Sequence, residues 1–327
     1  MTDDLSFDAL APDLESVEAR LRDATSHEER AIDAQTSHLA KAGGKRMRPL
    51  LVLLAARLGD GVNEEVEKAA VGVELTHLAT LYHDDVMDSA ALRRGAPAAH
   101  EVWGNTAAIL TGDLLFARAS QIVAGLGADA VRIHADTFER LCLGQLHETL
   151  GPDEGADAVA HYIDVLADKT GSLIATSARY GAMFAGAPEE QIEVLERYGE
   201  KVGVAFQLAD DVIDLASDSD TTGKTPGTDL REGVDTMPIL LLKQRKAAGS
   251  LDADGEEILA ALDSDLTSDA ALEAVVARLR AHSVVDEARD LARSWADDAV
   301  RELDDLPDSP VKRALAEFAV LLVNRMA

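Results

Sequence analysis

The feature that most restricts the fold is a pair of acidic motifs inside apolar segments with helical spacing. HDDVMD (83–88) and ADDVID (209–214) share the pattern D-D-x-x-D, and their first aspartates lie 126 residues apart, from 84 to 210. Acids at neighbouring and i,i+4 positions of a helix repel each other. Carboxylates directed into a core also need cations or protons to offset their burial. The chain must therefore fold so that these acids meet a cation.

The distribution of prolines and apolar residues predicts an all-α fold. Nine prolines leave long proline-free intervals, which helices require, and only 4% of residues are aromatic. No segment alternates like a strand and no long linker divides the chain, so residues 1–327 are expected to form one domain, a single large helical bundle. Helices are predicted over residues 13–41, from Pro49 onward, over 63–95, 103–125, 127–150, 157–185 and 189–216, and from Pro238 with breaks near 249–255, 265–269 and 306–310.

The net charge and the cysteine content exclude several kinds of partner. Sixty acids against 31 bases give −29 at pH 7, which disfavours nucleic acid and anionic membrane surfaces. The longest apolar run, PLLVLLAA (49–56), is too short to span a bilayer, and the acidic opening residues do not resemble a secretory signal. The single cysteine, Cys142, rules out a disulfide framework and is expected to be buried. A cytoplasmic protein without a transmembrane segment is predicted.

Helical geometry places the acids of each motif on one face. Asp84 and Asp88 lie one turn apart with Asp85 beside them, and His77 continues their stripe. The second motif belongs to a polar face at i, i+3, i+4 and i+7, which comprises Gln207, Asp210, Asp211 and Asp214. If both faces point inward, these carboxylates converge on one cavity. Mg²⁺ is the hard cation that uses few carboxylates and shares its remaining sites with waters and phosphate oxygens.

The scarce basic residues flank the acidic motifs. GGKRMRP (43–49) places Lys45, Arg46 and Arg48 just before a helix start, where cations are unfavourable unless an anion joins them. The other flanking residues are Arg93, Arg94, Lys169 with Thr170, and Lys224. A carboxylate-bound metal together with Arg and Lys is suited to holding diphosphates.

The chain lacks the sequence motifs of several other ligand-binding and enzyme classes. The chain has no G-x-x-x-x-G-K-[ST] loop, no G-x-S-x-G elbow and no H-E-x-x-H pair. An EF-hand-like spacing at 218–229 ends in Asp instead of Glu and has Pro226 at its ninth position. Calcium binding at this loop is therefore disfavoured.

Seven motifs in order resemble those of the trans-isoprenyl diphosphate synthases, also called polyprenyl synthetases. They are GGKRMRP, HDDVMD followed by RRG, GNTAAILTGDLLF, GQ, KTGSL, FQLADDVID and GKTPGTDLREG, and they lie within roughly residues 40–240. A lone D-D-x-x-D is shared with terpene cyclases, whereas seven motifs in this order are specific. The resemblance implies long helices around a deep central cavity, the isoprenoid synthase architecture, usually in a homodimer. It also implies 1'-4 condensation of isopentenyl diphosphate with an allylic diphosphate.

The resemblance further implies a role for each motif residue. The residues expected to hold Mg²⁺, about three ions per active site, are Asp84, Asp85, Asp88, Asp210 and Asp214, with Asp211 supporting their shell. Those expected to contact the allylic diphosphate are Arg93, Lys169, Thr170, Gln207 and Lys224, of which the two lysines act with the acids in catalysis. Those expected to bind isopentenyl diphosphate are Lys45, Arg48, His77, Arg94 and Arg325. One departure is Val234, where many relatives have a lysine, and it puts the detailed coordination of the diphosphate in question.

The residues before the first motif bear on product length. Thr80 and Ala79, four and five residues before Asp84, are small where short-chain relatives carry a bulky aromatic, and Thr76 lies a further turn away. We therefore expect a product longer than C20, about C30–C50, on the argument that each helical turn spans about one isoprene unit. The alternatives are a short-chain farnesyl or geranylgeranyl synthase, a terpene cyclase, and a non-catalytic subunit of a heteromeric synthase. A cyclase would not need the GGKRMRP pocket, and a non-catalytic subunit is expected to lack one or both acidic motifs.

Overall fold

Helices make up nearly all of the regular structure. The computed structural model describes residues 7–216, 227–231, 233–264, 266 and 268–324. Within these ranges the only strands are β1 (Leu92–Arg93) and β2 (Ala96–Pro97), a two-residue antiparallel ladder. The α-helices are α1 (Ala11–Thr25), α2 (Arg30–Thr36), α3 (His38–Lys41), α4 (Met47–Ala55), α5 (Glu64–Met87), α6 (Ala99–Trp103), α7 (Asn105–Ala124), α8 (Ala128–Leu150), α9 (Ala158–Leu166), α10 (Ser172–Phe184), α11 (Glu189–Ala216), α12 (Thr228–Arg231), α13 (Met237–Ala247), α14 (Ala253–Leu262), α15 (Asp269–Ala281), α16 (Ser283–Glu302) and α17 (Pro310–Val323). The predicted all-α fold class is confirmed.

Internal contacts divide the chain into two compact units. The first consists of residues 1–140, 172–199 and 302–316, and the second of residues 141–171, 200–301 and 317–327. Each unit is thus assembled from three separate segments, which no compositional boundary in the sequence marks. The single domain expected from the sequence stays a prediction.

Helix α5 packs against α1, α4, α7 and α10 in the first unit. It begins where predicted, because the Asn63 side chain accepts hydrogen bonds from the backbone N–H groups of Glu65 and Val66 at 2.9 and 3.0 Å. Nearly every side chain from Val66 to Ala79 is buried, as the apolar composition of this segment requires. The helix ends at Met87, so the first acidic motif occupies its last turn and Asp88 is the C-cap.

Helix α7 is apolar enough to raise the question of a membrane span. By length and composition alone, Asn105–Ala124 could cross a bilayer, with a mean hydropathy of 1.3. Core helices of soluble proteins have the same properties, and α7 packs along α5. One such helix is weak evidence for a membrane protein, so the expected absence of a transmembrane segment stays a prediction.

The second acidic motif ends a helix in the core of the second unit. Helix α11 runs to Ala216, and Leu208, Val212 and Leu215 on its C-terminal half are almost completely buried. They belong to a cluster that also contains side chains of α13, α15 and α16, such as Leu242 and Leu279. Burial of this apolar face fixes the rotation of the helix, and with it the direction of Asp210 and Asp214.

A π-helical turn separates α9 from α10. It covers Ala167–Gly171, so the helix predicted over residues 157–185 is present but changes its hydrogen-bond pattern within KTG. Turns of this kind are frequent at functional sites, because the extra residue redirects the neighbouring side chains. Gly203 of α11 contacts the turn directly, since a Cβ atom at this position would lie 2.4 Å from the Cα of Gly171. The backbone contact therefore admits only glycine.

Two expectations from the sequence are wrong in detail. The helix predicted over residues 13–41 is three helices, because Ser26 has an extended backbone (ψ 156°) that ends α1. Cys142 is exposed instead of buried, because it lies on the outer side of α8 next to the exposed Leu143. Apolar residues occur on both sides of α8, so helical periodicity alone did not show which side is exposed.

Candidate active site

The first acidic motif places one buried carboxylate between two accessible ones. Asp85 is completely buried and accepts a hydrogen bond from the Nε atom of Arg93 at 2.5 Å. Burial raises the pKa of Asp85, and the Arg93 guanidinium acts in the opposite direction. Asp84 is partly exposed and Asp88 is exposed. The middle acid therefore anchors Arg93 beside the motif, while the outer acids remain accessible to a ligand.

An accessible stripe extends along α5 from the first motif and consists of His77, Thr80, Leu81 and Asp84. These positions share a helix face and are partly exposed, whereas Thr76, Leu78 and Ala79 are buried. The hydroxyl of Thr80 donates to the carbonyl of His77 at 2.8 Å. Of the three residues predicted to control product length, only Thr80 lies on the accessible stripe.

Arginine side chains from two loops surround one buried carboxylate. Glu74 of α5 is 2% exposed and accepts a hydrogen bond from Arg46 at 2.8 Å, and its carboxylate lies 4.0 Å from Arg94. Burial, opposed by the attraction of Glu74, lowers the pKa of Arg48 to about 10, and its Nε atom is buried without a hydrogen-bond partner among the described residues. Burial and the charges of Arg48 and Arg94 lower the pKa of His77 well below its usual value. His77 is therefore neutral at pH 7.

Three of the predicted ligands of isopentenyl diphosphate, Arg48, His77 and Arg94, lie in this arginine cluster. Arg48, His77 and Arg94 influence one another's charge, and Lys45 lies exposed in the preceding loop. The guanidinium of Arg94 donates to the carbonyls of Leu39, at 3.1 Å, and of Gly43. A gathering of cations with few carboxylates is suited to an anion.

The second acidic motif repeats the arrangement of the first. Its middle acid, Asp211, is 3% exposed and accepts hydrogen bonds from the Tyr162 hydroxyl at 2.9 Å and the Met237 backbone N–H at 3.2 Å. The outer acids, Asp210 and Asp214, are partly exposed. In both motifs, the outer pair at i and i+4 faces accessible space, and the middle acid is held by internal donors.

Three further predicted residues, Lys169, Thr170 and Gln207, lie at or next to the π-helical turn. Lys169 forms an ion pair with Glu148 at 2.5 Å, and Glu148 also accepts from the Gln145 side chain at 3.1 Å. Thr170 donates to the Gln207 side chain at 3.3 Å, one turn from Asp210. Lys169, Thr170 and Gln207 are thus close in space, and their contact with a diphosphate stays a prediction. Lys224, Arg325 and the EF-hand-like segment before Gly227 lie outside the described residues.

The model of a known protein family matches most of this chain. The family model described as polyprenyl synthetase matches residues 29–279, which is most of the chain. The chain belongs to the polyprenyl synthetase family. The resemblance drawn from the seven motifs is therefore confirmed, and so is the interpretation of the chain as a prenyltransferase enzyme.

Individual polyprenyl synthetases match over nearly their whole length. The nonaprenyl diphosphate synthase of Mycobacterium tuberculosis is 47% identical over 88% of this chain and 85% of its own. The heptaprenyl diphosphate synthase component 2 of Geobacillus stearothermophilus is 35% identical over 98% of both chains. A crystal structure of geranylgeranyl pyrophosphate synthase from Corynebacterium glutamicum, complexed with calcium and isoprenyl diphosphate, is 41% identical, with a TM-score of 0.85 over 100% of this chain and 99% of that chain.

The donor set of this polyprenyl synthetase fits a hard divalent cation. Asp84 and Asp88 in the first unit, and Asp210 and Asp214 in the second, are at least partly exposed and lie one helical turn apart within each pair. No group of three or more His, Cys, Asp or Glu side chains forms a preassembled metal cage among the residues the structure describes. Few protein ligands per ion are what Mg²⁺ uses when it shares its shell with water and phosphate oxygens.

Three residues of these groups were missed by the sequence analysis. Glu74, Tyr162 and Glu148 each contact a predicted site residue or its neighbour, through Arg46, Asp211 and Lys169 respectively. Glu74 carried a signal, because it is a lone acid in the apolar segment AAVGVELTHLA. Tyr162 and Glu148 carried none, since their partners are distant in the sequence.

Proposed function

We propose that the chain is a long-chain all-trans polyprenyl diphosphate synthase, which condenses isopentenyl diphosphate 1'-4 onto an allylic diphosphate. The observation that carries this proposal is the accessible stripe of α5, which joins an accessible acid pair to the small side chain of Thr80. An allylic diphosphate held at Asp84 could extend its chain past Thr80 without meeting a bulky residue. The 47% identity with a nonaprenyl diphosphate synthase favours the same product class.

The accessible acids are proposed as the ligands of about three Mg²⁺ ions. Asp84 and Asp88 bind metal directly, as do Asp210 and Asp214. Asp85 and Asp211 belong to the same group but act mainly through the residues they hold, Arg93 and Tyr162. When bound, Mg²⁺ supplies positive charge that neutralises the diphosphate as it departs.

The basic residues are proposed to act on the two diphosphates. Arg93, Lys169, Thr170, Gln207 and Lys224 bind the allylic diphosphate. Lys45, Arg48, His77, Arg94 and Arg325 bind isopentenyl diphosphate without metal. Preorganised cations of this kind stabilise the charge that develops on the leaving diphosphate and hold the two substrates in reacting geometry. Lys169 must exchange Glu148 for the diphosphate, because its ammonium is paired with that carboxylate.

The proposed reaction breaks the allylic C–O bond and forms one C–C bond. The bonding electrons leave with the diphosphate, and the double bond of isopentenyl diphosphate attacks the resulting allylic cation. A proton then leaves the adjacent carbon, and the released diphosphate is the proposed base. This route requires no catalytic histidine. The apolar residues around the stripe must exclude water, which would otherwise trap the cation.

The proposal is tested by incubating the full chain with Mg²⁺, isopentenyl diphosphate and each of dimethylallyl, geranyl, farnesyl and geranylgeranyl diphosphate. We expect an all-trans product longer than C20, read as chain length after hydrolysis of the diphosphate. A clean C15 or C20 product would support the short-chain alternative. Absence of product with every primer would support a non-catalytic subunit of a heteromeric synthase. One similar protein is named as a component of such a synthase.

We also propose that the enzyme is a cytoplasmic homodimer. Val102 of α6 and Ile109 and Leu110 of α7 are 48%, 42% and 61% exposed, and they lie close together in the sequence. Exposed apolar side chains grouped in one part of the chain are typical of surfaces that a second copy covers. The exposed Asp113 on the same helix makes a lipid-facing role for this surface unfavourable.

The dimer is tested with the variant Leu110→Glu, which introduces a charge into the apolar surface. Light scattering is expected to give twice the chain mass for the wild type and one chain mass for the variant. Leu321→Glu is the matched control, because Leu321 is a similarly exposed leucine on α17. A wild type that is already monomeric, or an unchanged mass for Leu110→Glu, would contradict this surface as the interface.

A further inference from the structure

Glu74 is a buried carboxylate to which the proposed reaction assigns no role. It lies in the middle of α5, 2% exposed, with apolar residues on both sides in the sequence. Burial of an ionised carboxylate is strongly unfavourable unless cations and hydrogen bonds compensate it. A chain that needed only a packed helix would place an apolar residue at this position. The role of Glu74 must therefore come from the residues that it contacts.

The direct partner of Glu74 is Arg46, whose guanidinium makes its hydrogen bonds inside the protein. Its Nη1 atom donates to Glu74 at 2.8 Å, its Nη2 atom to the carbonyl of Ala40 at 3.0 Å, and its Nε atom to Glu18. Arg46 is 6% exposed. Each of the three nitrogens has an internal acceptor, and Nη1 also lies 3.4 Å from the carbonyl oxygen of Gly43, so most of the hydrogen-bonding capacity of Arg46 is used inside the protein.

The backbone of Arg46 has a conformation that the ion pair helps to hold. Its φ angle is 50° and its ψ angle 38°, a left-handed conformation that residues with a Cβ atom rarely adopt. This residue is the N-cap of α4, and it separates Lys45 from Arg48. The left-handed residue therefore determines the directions in which those two side chains leave the backbone.

The second contribution of Glu74 is electrostatic. Its charge attracts Arg48 and Arg94 as well as Arg46, and each of the three arginines repels others of the group. The Nε atom of Arg48 is buried without a partner among the described residues. Without a carboxylate at their centre, the three guanidiniums would separate before an anion arrived.

We propose that Glu74 and Arg46 are positioning residues for the isopentenyl diphosphate site. Arg46, fixed by Glu74, holds the turn that directs Lys45 and Arg48 towards the diphosphate, and Glu74 keeps the arginines together in the absence of ligand. The inference rests on the proposed function, because it assumes that this cluster binds isopentenyl diphosphate. Neither residue touches the substrate.

The first experiment measures binding without turnover. Calorimetric titration of isopentenyl diphosphate, without Mg²⁺ and without an allylic primer, compares the wild type with Glu74→Gln. We expect about a tenfold or larger increase in Kd, because loss of one partner leaves the other buried and unpaired. Glu67→Gln is the matched control on the same helix, since Glu67 pairs with Arg20 at 2.7 Å in a more exposed setting. It is expected to change Kd less than about twofold.

The second measurement separates the two substrates during turnover. For Glu74→Gln, the KM for isopentenyl diphosphate is expected to rise by the same factor as Kd, with less than about a twofold change in the KM for the allylic primer. A residue that merely stabilises the fold would move both KM values together or neither. Equal shifts in the two KM values would therefore overturn the inference.

A double variant separates a loss of substrate binding from a loss of folding stability. In Glu74→Leu combined with Arg46→Met, apolar side chains replace both partners, and such replacement of a buried pair often preserves stability. We expect a urea midpoint near that of the wild type but a Kd for isopentenyl diphosphate still raised about tenfold. A folded double variant with wild-type affinity would overturn the inference, as would a wild type that does not bind isopentenyl diphosphate at all. A wild type that binds it but makes no product would overturn only the proposed function.

Discussion

Replacement of Asp84 or Asp210 by alanine is expected to lower the rate of product formation by about a thousandfold or more. Each is an accessible outer acid of its motif, and each is proposed to bind Mg²⁺ directly. Charge stabilisation by a metal contributes several kcal/mol in the transition state, and about 1.4 kcal/mol corresponds to a factor of ten in rate. The measurement is single-turnover formation of product at saturating substrates. The control is Asp164→Ala, an exposed aspartate of α9, which is expected to leave the rate unchanged.

The middle acids of the two motifs are expected to affect stability, whereas the outer acids affect only activity. Asp85 and Asp211 are buried and hydrogen-bonded to internal donors, so Asp85→Asn and Asp211→Asn are expected to lower the free energy of unfolding by about 1–3 kcal/mol. The Asp84→Ala and Asp210→Ala variants should instead keep the urea midpoint of the wild type, within about 0.5 kcal/mol. A near-normal rate for Asp84→Ala or Asp210→Ala would contradict metal binding by the outer acids. A loss of activity explained by unfolding would appear as a lowered midpoint.

The sequence was sufficient for the fold class, for most helix bounds and for the family. The Asn63 cap and the bounds of α11 follow from local patterns that the structure confirms. These features depend on neighbouring residues alone, and neighbouring residues are what a sequence displays. The helix predicted over 63–95 instead ends at Met87, because the chain turns into the short β1–β2 ladder. The π-helical turn at Ala167–Gly171 was not predicted, because it depends on packing against a segment distant in the sequence, Gly203 of α11. The break at Ser26 was not predicted either, since no proline or glycine marks it.

Within the candidate site, the sequence predicted which residues occur together, but not which of them are buried and which are accessible. Helical spacing placed Asp84, Asp85 and Asp88 together, yet it could not separate the buried acid from the two accessible ones. That difference arises from Arg93, whose position is set by a tight turn with Arg94 at φ 54°. Tyr162 and Asp211 are 49 residues apart in the chain and meet only in the folded unit. Contacts of this kind leave no trace in spacing or composition.

Thr80→Phe is expected to shorten the main product to C15 or C20 while the rate stays within about tenfold of wild type. Thr80 lies on the accessible stripe, four residues and about 6 Å along the helix axis from Asp84. A phenyl ring there would occupy the space that the growing chain needs after a few additions, and it would leave the acid pair untouched. The measurement is the chain-length distribution of the dephosphorylated product with farnesyl and geranyl diphosphate as primers. Ala160→Phe, at an exposed position of α9, is the control for adding an aromatic side chain.

Ala79→Phe distinguishes a stop in the product path from a disturbed core. Ala79 is adjacent to Thr80 in the sequence but only 1% exposed, so the added ring must displace packed neighbours. Overpacking of this kind costs about 1–3 kcal/mol of folding free energy. We expect Ala79→Phe to lower the urea midpoint and to shorten the product less cleanly than Thr80→Phe. If both variants made product of wild-type length, the chain would not pass this face of α5. If Ala79→Phe alone shortened the product, the path would run along the buried side of α5, where Ala79 lies.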